Sequence, residues 1–392
     1  MPSNDRSTPT ADLATTRPYL LERVDDAAVV QLYADGFQGL PLDQKTLIWH
    51  LYQAALAGRD IYTDQRYAHS LAMRDFLEAV LLHDAALPPE VASEFWRYTK
   101  LFWINSGPFN NLTARKFVLK LTVDALAASA EAAAAAGARF DTRAGESPAD
   151  LARRLAPLLL DPAVDPMVTN KSPGPDGDIL ADSANNLYQD VSMADLEGFV
   201  ERHPLNSRLV KRDGQLVEEV YRVGGKYDAE LTRVIGHLEA ALPHATPGFA
   251  AALRALILWY RTGDDRDRTA FDIAWVQSTD SPVDTMSGFI EVYMDACIKG
   301  AWGVDRLLRE PREDCPIRAL AANAQWFEDR MPIAPAYRKP VVLGVTATAI
   351  DAVIETGDAG LDHADRVNLP NDQRVREVYG SKSVTCRTSA KP

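Results

Sequence analysis

Four residues in the C-terminal part of the chain have types and spacings suited to gripping a peptide: Glu291, Tyr293, Asn368 and Asn371. On a strand, Glu291 and Tyr293 stand two apart and project to the same face. A carboxylate beside a phenol, inside the apolar run Phe289-Ile290-x-Val292, is costly to bury unless a cation or a hydrogen-bond donor meets it. Asn368 and Asn371 flank Leu369-Pro370, a rigid turn that presents two amide oxygens in one direction. One countercharge and two neutral acceptors suit the α-ammonium group of a peptide. A strand end followed by an Asx-turn, with no ligand, accounts for the same four residues.

Other chemistries find less support. No His-Glu-x-x-His, and no variant one residue longer, occurs in the 392 residues. There is no G-x-S-x-G elbow, no P-loop and no G-x-G-x-x-G fingerprint. Residues 280–291 have the length of a calcium loop, with Asp280, Asp284 and Glu291 at its first, fifth and last positions. Pro282 holds the third position, however, and Thr285 stands where a glycine must make the turn. His237 and His244 lie seven apart with Pro243 between them and no carboxylate at ligand spacing, so they read as surface or capping residues. His50, beside Trp49, reads as lying on a helix flank or packed with one nitrogen bonded. No metal-ligand set is expected from these residues.

A net charge of −13 argues against nucleic acid, which rewards clustered Lys and Arg. An apolar fraction of 46% with 25% charged residues is enough for a substantial core. Residues 1–16 are rich in Ser, Thr and Asp and read as a disordered tail. No run approaches the ~18 apolar residues of a membrane span. The three cysteines, Cys297, Cys315 and Cys386, follow no metal spacing and are odd in number, which points to a reducing cytoplasm.

The elements that must position these residues are mixed. Residues 41–57 carry helical spacing, with Gly58 as the expected stop. Residues 125–136 are nearly all alanine and predict a closely packed helix. Ser147-Pro148 predicts a helix start before residues 151–160, with Pro157 expected to kink or end it early. Residues 162–177 hold four prolines and two glycines and predict a long loop. Residues 208–222, with Asp213-Gly214 between two strand patterns, predict a hairpin. Helical periodicity returns over 227–242 and 249–260. Apolar runs at 273–276, 289–293 and 341–345 predict buried strands, with 351–355 a weaker case. The expected class is α+β with segregated helices.

Longer patterns add a family likeness. Trp275-Val-Gln, Gly288-Phe-Ile-Glu-Val-Tyr and Asn368-Leu-Pro-Asn, supported by Gly107-Pro-Phe-Asn-Asn, Ala324-Gln-Trp-Phe-Glu-Asp-Arg-Met-Pro and Glu355-Thr-Gly-Asp, resemble the bacterial branch of the dipeptidyl-peptidase III family. The resemblance runs from about Arg17 to Val384. It implies a zinc exopeptidase that removes dipeptides from peptide N-termini, on a mainly helical two-lobed fold with a small barrel-like β core in the lower lobe. It also implies that Glu291, Asn368 and Asn371 hold the substrate ammonium, while Tyr293 contacts the scissile carbonyl as it becomes an oxyanion. In that family zinc sits on a His-Glu-x-x-Gly-His helix and a downstream glutamate, none of which is found in this sequence.

The sequence departs from the family pattern over 303–317, 361–367 and 385–392. A one-base slip from a codon run for Leu-Ser-Asn-Val-Ser-Glu-Ala yields the final Cys-Arg-Thr-Ser-Ala-Lys-Pro. The expectation is therefore a truncated family member with 17–311 as the substrate-holding lobe and 312–350 as the start of a helical zinc lobe. Residues 351–384 would return to the lower-lobe β core, and 385–392 would be a frame-shifted tail. Such a chain is expected to bind short peptides, neither nucleic acid nor membrane, to hold no zinc of its own and to lack peptidase activity alone. A non-catalytic peptide-binding module and a helical interaction protein are the alternatives.

Overall fold

The computed structural model describes residues 18–291, 294–295, 297, 299–309, 319–342, 345–360 and 366–386. A short antiparallel hairpin, β1 (Leu20–Val24) and β2 (Ala27–Val30), precedes a helical half. Helix α1 (Leu42–Arg66) is its axis. Leu47, Leu51, Ala54, Ala55, Gly58, Ile61 and Tyr62 recur at three- and four-residue steps and form its buried face. The helix does not stop at Gly58. The glycine is there for closeness: a β-carbon on it would lie 2.3 Å from Cζ2 of Trp302.

Helices α2 (Ser70–Leu81), α3 (Pro89–Asn105), α4 (Val123–Ala135) and α5 (Pro148–Leu160) follow. The alanine-rich segment is helical as expected. Thr122 caps α4, and Ala127, Ala130 and Ala133 are buried, so small side chains bring it close to its neighbours. Ser147 and Asp150 cap α5 reciprocally. Pro157 does not end α5. Its missing N–H would have served the carbonyl of Arg153, an exposed residue, and only one further turn follows.

The proline-rich stretch 162–177 is a loop, and the Asp213-Gly214 hairpin forms as expected between β4 (Ser207–Arg212) and β5 (Gln215–Val220). Asp213 (φ 50°) and Gly214 (φ 76°) both take the left-handed conformation that a two-residue hairpin turn needs. β3 (Tyr188–Gln189) adds to β4 in parallel. Helices α6 (Asp228–Ala241), α7 (Pro247–Thr262) and α8 (Asp265–Gln277) come next. The apolar run 273–276 is thus helix, contrary to the strand expectation. Asp264 caps α8, and burial is confined to Phe271, Asp272, Trp275 and Val276, a one-sided pattern that a four-residue window cannot reveal.

The C-terminal part contributes a mixed five-stranded sheet in the order β6-β7-β8-β10-β9, from β6 (Val283–Glu291), β7 (Gly300–Arg309), β8 (Val345–Gly357), β9 (Arg366–Leu369) and β10 (Ser381–Cys386). All neighbours pair antiparallel except β8 and β10, which are parallel. The expected strand at 341–345 is displaced: Val341 is exposed, and the strand begins at Val345 and runs through 351–355. β7 carries no alternation in its sequence because it is a central strand with Ala301, Trp302, Val304 and Leu308 all buried. Among the described residues no strand pairing closes the sheet into a barrel.

Between β7 and β8 lies a small unit around α9 (Ala324–Asp329). Arg338 donates to the carbonyls of Asp329 (2.7 Å), Met331 (3.0 Å) and Ile333 (3.1 Å), so its bonds stay within the segment. Leu320, Trp326, Phe327, Tyr337 and Val341 are exposed on it. Residues 310–318, with Cys315, lie outside the described residues. Among the described residues no helix is long and apolar enough to cross a membrane.

The contact of Gly58 with Trp302 predicts an inverted substitution effect. Alanine in place of glycine normally stabilises a helix interior by about 1 kcal/mol. Gly58→Ala is expected to destabilise this protein by about 1–3 kcal/mol through overpacking, read as a lower urea midpoint. A midpoint equal to or above wild type would contradict a tight contact.

Candidate functional site

The strand that ends at Glu291 is held from three sides. Gly288 takes φ +145°, and a β-carbon there would meet the Trp259 ring at 2.5 Å, so the strand lies directly on the indole. Arg268 of α8 stacks over the same ring at 4.8 Å, pairs with Asp272 and donates from Nη1 to the Phe289 carbonyl at 2.7 Å. That bond satisfies a backbone acceptor on an outer strand of the sheet. Phe289 itself is buried among Tyr221, Trp259 and Trp302, with ring centroids 4.9, 6.0 and 5.4 Å away.

Asp295 and Lys299, which follow β6, are anchored as well. Asp295 accepts from the Tyr188 hydroxyl (2.9 Å) and from the Lys299 N–H (2.7 Å). Burial, with the Asp295 carboxylate, drives the Tyr188 pKa far up and keeps the phenol protonated as a donor. Lys299 is 1% exposed and is neutralised by Glu201 at 2.5 Å. The side-chain amide of Gln65 on α1 then acts like a strand neighbour to β7. Its Nε2 donates to the Gly300 carbonyl (3.1 Å) and its Oε1 accepts from the Trp302 N–H (2.8 Å). Glu291 pairs with Gly300 and so inherits this positioning. Tyr293 lies outside the described residues.

Asn368 sits on β9 opposite Ser383 and is exposed. Leu369–Pro370 is cis, and Asn371 is exposed immediately after it. Asp372 then caps α10 (Gln373–Tyr379), a short helix that the sequence reading did not anticipate. Its carboxylate accepts from the Arg374 N–H at 2.9 Å, and the Arg374 guanidinium holds its pKa down. The turn therefore leads from an outer strand directly into a helix N-terminus. In the hydrogen-bonded order β7, β8 and β10 stand between Glu291 and Asn368.

A buried ion pair shows that this order does not mean distance. Lys382 of β10, 4% exposed, donates to Asp284 of β6 at 2.9 Å and to the Ser278 carbonyl at 2.9 Å. Asp284 also accepts from Trp275 Nε1 (2.9 Å) and the Thr285 N–H (2.8 Å), while the Lys382 ammonium lies 4.4 Å from the Trp275 ring centroid. Asp284 is in register with Leu307 and Leu307 with Ala352, whereas Lys382 is in register with Thr346. On a flat sheet, three strand spacings and that offset along β8 would separate the two Cα atoms by roughly 25 Å. Extended lysine and aspartate side chains in contact reach roughly 12 Å. The sheet is therefore strongly curled, bringing the β9–β10 side toward the start of β6.

A separate cleft of about 420 Å³ opens where α1, α2 and α3 meet the end of β8. Arg59, Asp60, Arg74, Glu78, Trp103 and Glu355 line it, and among the described residues neither Asn368 nor Asn371 does. Its walls come from segments three hundred residues apart, so no local spacing signals it. Among the described residues no group of three or more His, Cys, Asp or Glu is placed to hold a metal ion.

The stretch 191–391, just over half of the chain, matches a family model described as peptidase family M49. Two solved structures share the fold. Dipeptidyl-peptidase III from Caldithrix abyssi aligns over 90% of this chain at 22% identity with a TM-score of 0.63. Dipeptidyl-peptidase III from Corallococcus sp. strain EGB aligns over 91% at 20% identity, also with a TM-score of 0.63. The chain spans 56% of the length of each. A comparison with curated protein sequences gives no match.

Removing one partner of the Lys382–Asp284 pair leaves a buried charge. Lys382→Met is expected to cost about 3–5 kcal/mol, with much of that loss recovered in Lys382→Met/Asp284→Asn. Equilibrium urea unfolding of the two variants measures this. Equal stability of the single variant and wild type would remove the pair from its structural role.

Proposed function

Because this chain belongs to peptidase family M49, we propose that it forms the substrate-holding part of a dipeptidyl-peptidase and grips the free N-terminus of short peptides. The observation that carries the reading is that the matched stretch 191–391 contains all four residues with the right chemistry, Glu291, Tyr293, Asn368 and Asn371. The likeness to two dipeptidyl-peptidase III structures supports the same class at the level of fold. In this proposal 17–311 and 351–384 build the lower lobe, and the curled sheet closes toward a barrel that carries Glu291 and Asn368 to one wall. The unit within 312–350 begins a second, helical lobe. The odd number of cysteines supports a cytoplasmic setting.

The chemistry follows from the residue types. The Glu291 carboxylate supplies the countercharge for the peptide ammonium, and the carbonyl oxygens of Asn368 and Asn371 accept its remaining protons. This fixes the N-terminal residue, so the second peptide bond falls at a constant distance from the anchor. Tyr293, two residues beyond Glu291, donates its phenolic hydrogen to that carbonyl and binds it more tightly as negative charge develops. Zinc in family enzymes would activate the attacking water. The sequence holds no His-Glu-x-x-His pattern, and no cluster of three potential ligands stands among the described residues, so the role assigned to this polypeptide alone is peptide binding without hydrolysis.

An interaction role is the second reading, favoured by the exposed Leu320, Trp326, Phe327, Tyr337 and Val341 on one small unit. Sedimentation velocity separates it: a monomer at micromolar concentration that binds peptide excludes self-association through this face.

Calorimetry with a tetrapeptide is expected to show weak binding that Glu291→Gln reduces by about 10- to 100-fold, the value of a charge-assisted hydrogen bond. An N-acetylated tetrapeptide should bind no better to wild type than the free peptide does to the variant. Equal binding of free and acetylated peptides would overturn ammonium recognition. Stoichiometric zinc with turnover of a dipeptidyl-naphthylamide would overturn the assignment of binding without hydrolysis.

A further inference from the structure

We propose that His50, packed against His237 and His244, is a proton-operated joint between α1 and α6, holding the two helices together when neutral and loosening them as the pH falls through the histidine range. The three lie far apart in sequence and meet only in the fold. His50 projects from α1, His237 from α6, and His244 from the 3₁₀ turn Leu242–His244 that follows α6. The His50 ring centroid is 6.2 Å from that of His237, at an interplanar angle of 38°, and 6.2 Å from that of His244, at 14°. No sequence spacing predicts this cluster, and no role in the peptide site uses it.

One atom makes the cluster protonation-sensitive. Nδ1 of His50 is buried and has no hydrogen-bond partner among the described residues. A neutral imidazole can leave a lone-pair nitrogen there, but a protonated ring would place a charged N–H in a buried position with no acceptor among the described residues. The neighbouring groups do not compensate. From α6 the ring faces His237, and from the following turn it faces His244, neither of which offers a negative charge. Asp43, seven residues before His50 on α1, is engaged by His244 Nδ1 at 2.5 Å. Farther out on α6, Glu239 is paired with Arg261 of α7 at 2.5 Å, and Glu230 with Arg233 at 3.2 Å. Burial first, and then the two imidazoles, lower the His50 pKa from its ordinary 6.5.

The direction of the effect is fixed by linkage. The unfolded chain binds the proton more readily than the folded one, so the stability contributed by neutral His50 is complete above about pH 6.5. It is lost as the pH falls from there through the folded-state value. The α1–α6 contact is the most extensive helix–helix packing among the described residues. His50 lies about two turns from Gly58, where α1 seats Trp302, so loosening at this joint reaches the helix that holds β7.

Amide hydrogen exchange of the whole protein tests this at pH 7.5 and 5.5, corrected for intrinsic exchange rates. Protection of Asp228–Ala241 is expected to fall by up to about tenfold per pH unit below 6.5, as for one linked proton. His50→Gln is expected to flatten that dependence while leaving exchange in α4 and α5 unchanged. An identical pH profile in wild type and His50→Gln overturns the joint. Should the variant not fold, histidine titration of the wild type by NMR decides: a His50 pKa at or above 6.5 overturns it, and a depressed value supports it.

Discussion

The architecture depends on how closely α1 approaches the middle of the C-terminal sheet. Gly58 allows the helix backbone to touch the Trp302 indole, and a turn or two later Gln65 supplies both a donor and an acceptor to β7. A larger residue at position 58 would hold the helix off, and the amide of Gln65 would no longer reach the strand. The buried backbone groups of Gly300 and Trp302 would then lack partners, which is more costly than a lost methyl contact. Tyr62, hydrogen-bonded to Asp358 at 2.8 Å, extends the same seam to the turn after β8. One helix face thus sets the position of β7, and through β7 the strand that carries Glu291.

Curling of the sheet is the second constraint, and it is enforced by charge. Lys382 and Asp284 are both buried, and each needs the other to avoid an uncompensated ion. Their pairing draws β10 toward β6 across the two strands between them, with Trp275 of α8 bonded to one partner and stacked on the other. Helix α8 therefore serves two purposes, since Arg268 near its start also caps the Phe289 carbonyl.

Local features of the fold were largely legible in the sequence. The Asp213-Gly214 hairpin, the Thr122- and Ser147-capped helices and the proline-rich loop each rest on backbone preferences that act within a few residues. The misreadings have a common cause in packing over long separations. Gly58 looked like a helix stop because a glycine used for close approach has the same local signature as a C-cap. The run at 273–276 looked like a strand because four apolar residues carry no period. β7 went unseen because a central strand buried on both faces shows no alternation. His237 and His244 looked like surface or capping residues, and His50 like a helix-flank or singly bonded one, because their partners lie up to two hundred residues away.

The residue chemistry itself, a carboxylate, a phenol and two amides with the family's spacing, was set by the sequence alone, because it depends only on side-chain type and order. The absence of a His-Glu-x-x-His pattern is likewise a property of the linear chain. Tertiary structure alone decided how rigidly Glu291 is presented, through Trp259 beneath Gly288, Arg268 on the strand carbonyl and Gln65 on β7. It alone brought Lys382 to Asp284 and His50 to His237 and His244. These contacts are governed by burial, which depends on what the whole fold removes from water and leaves no trace in local spacing.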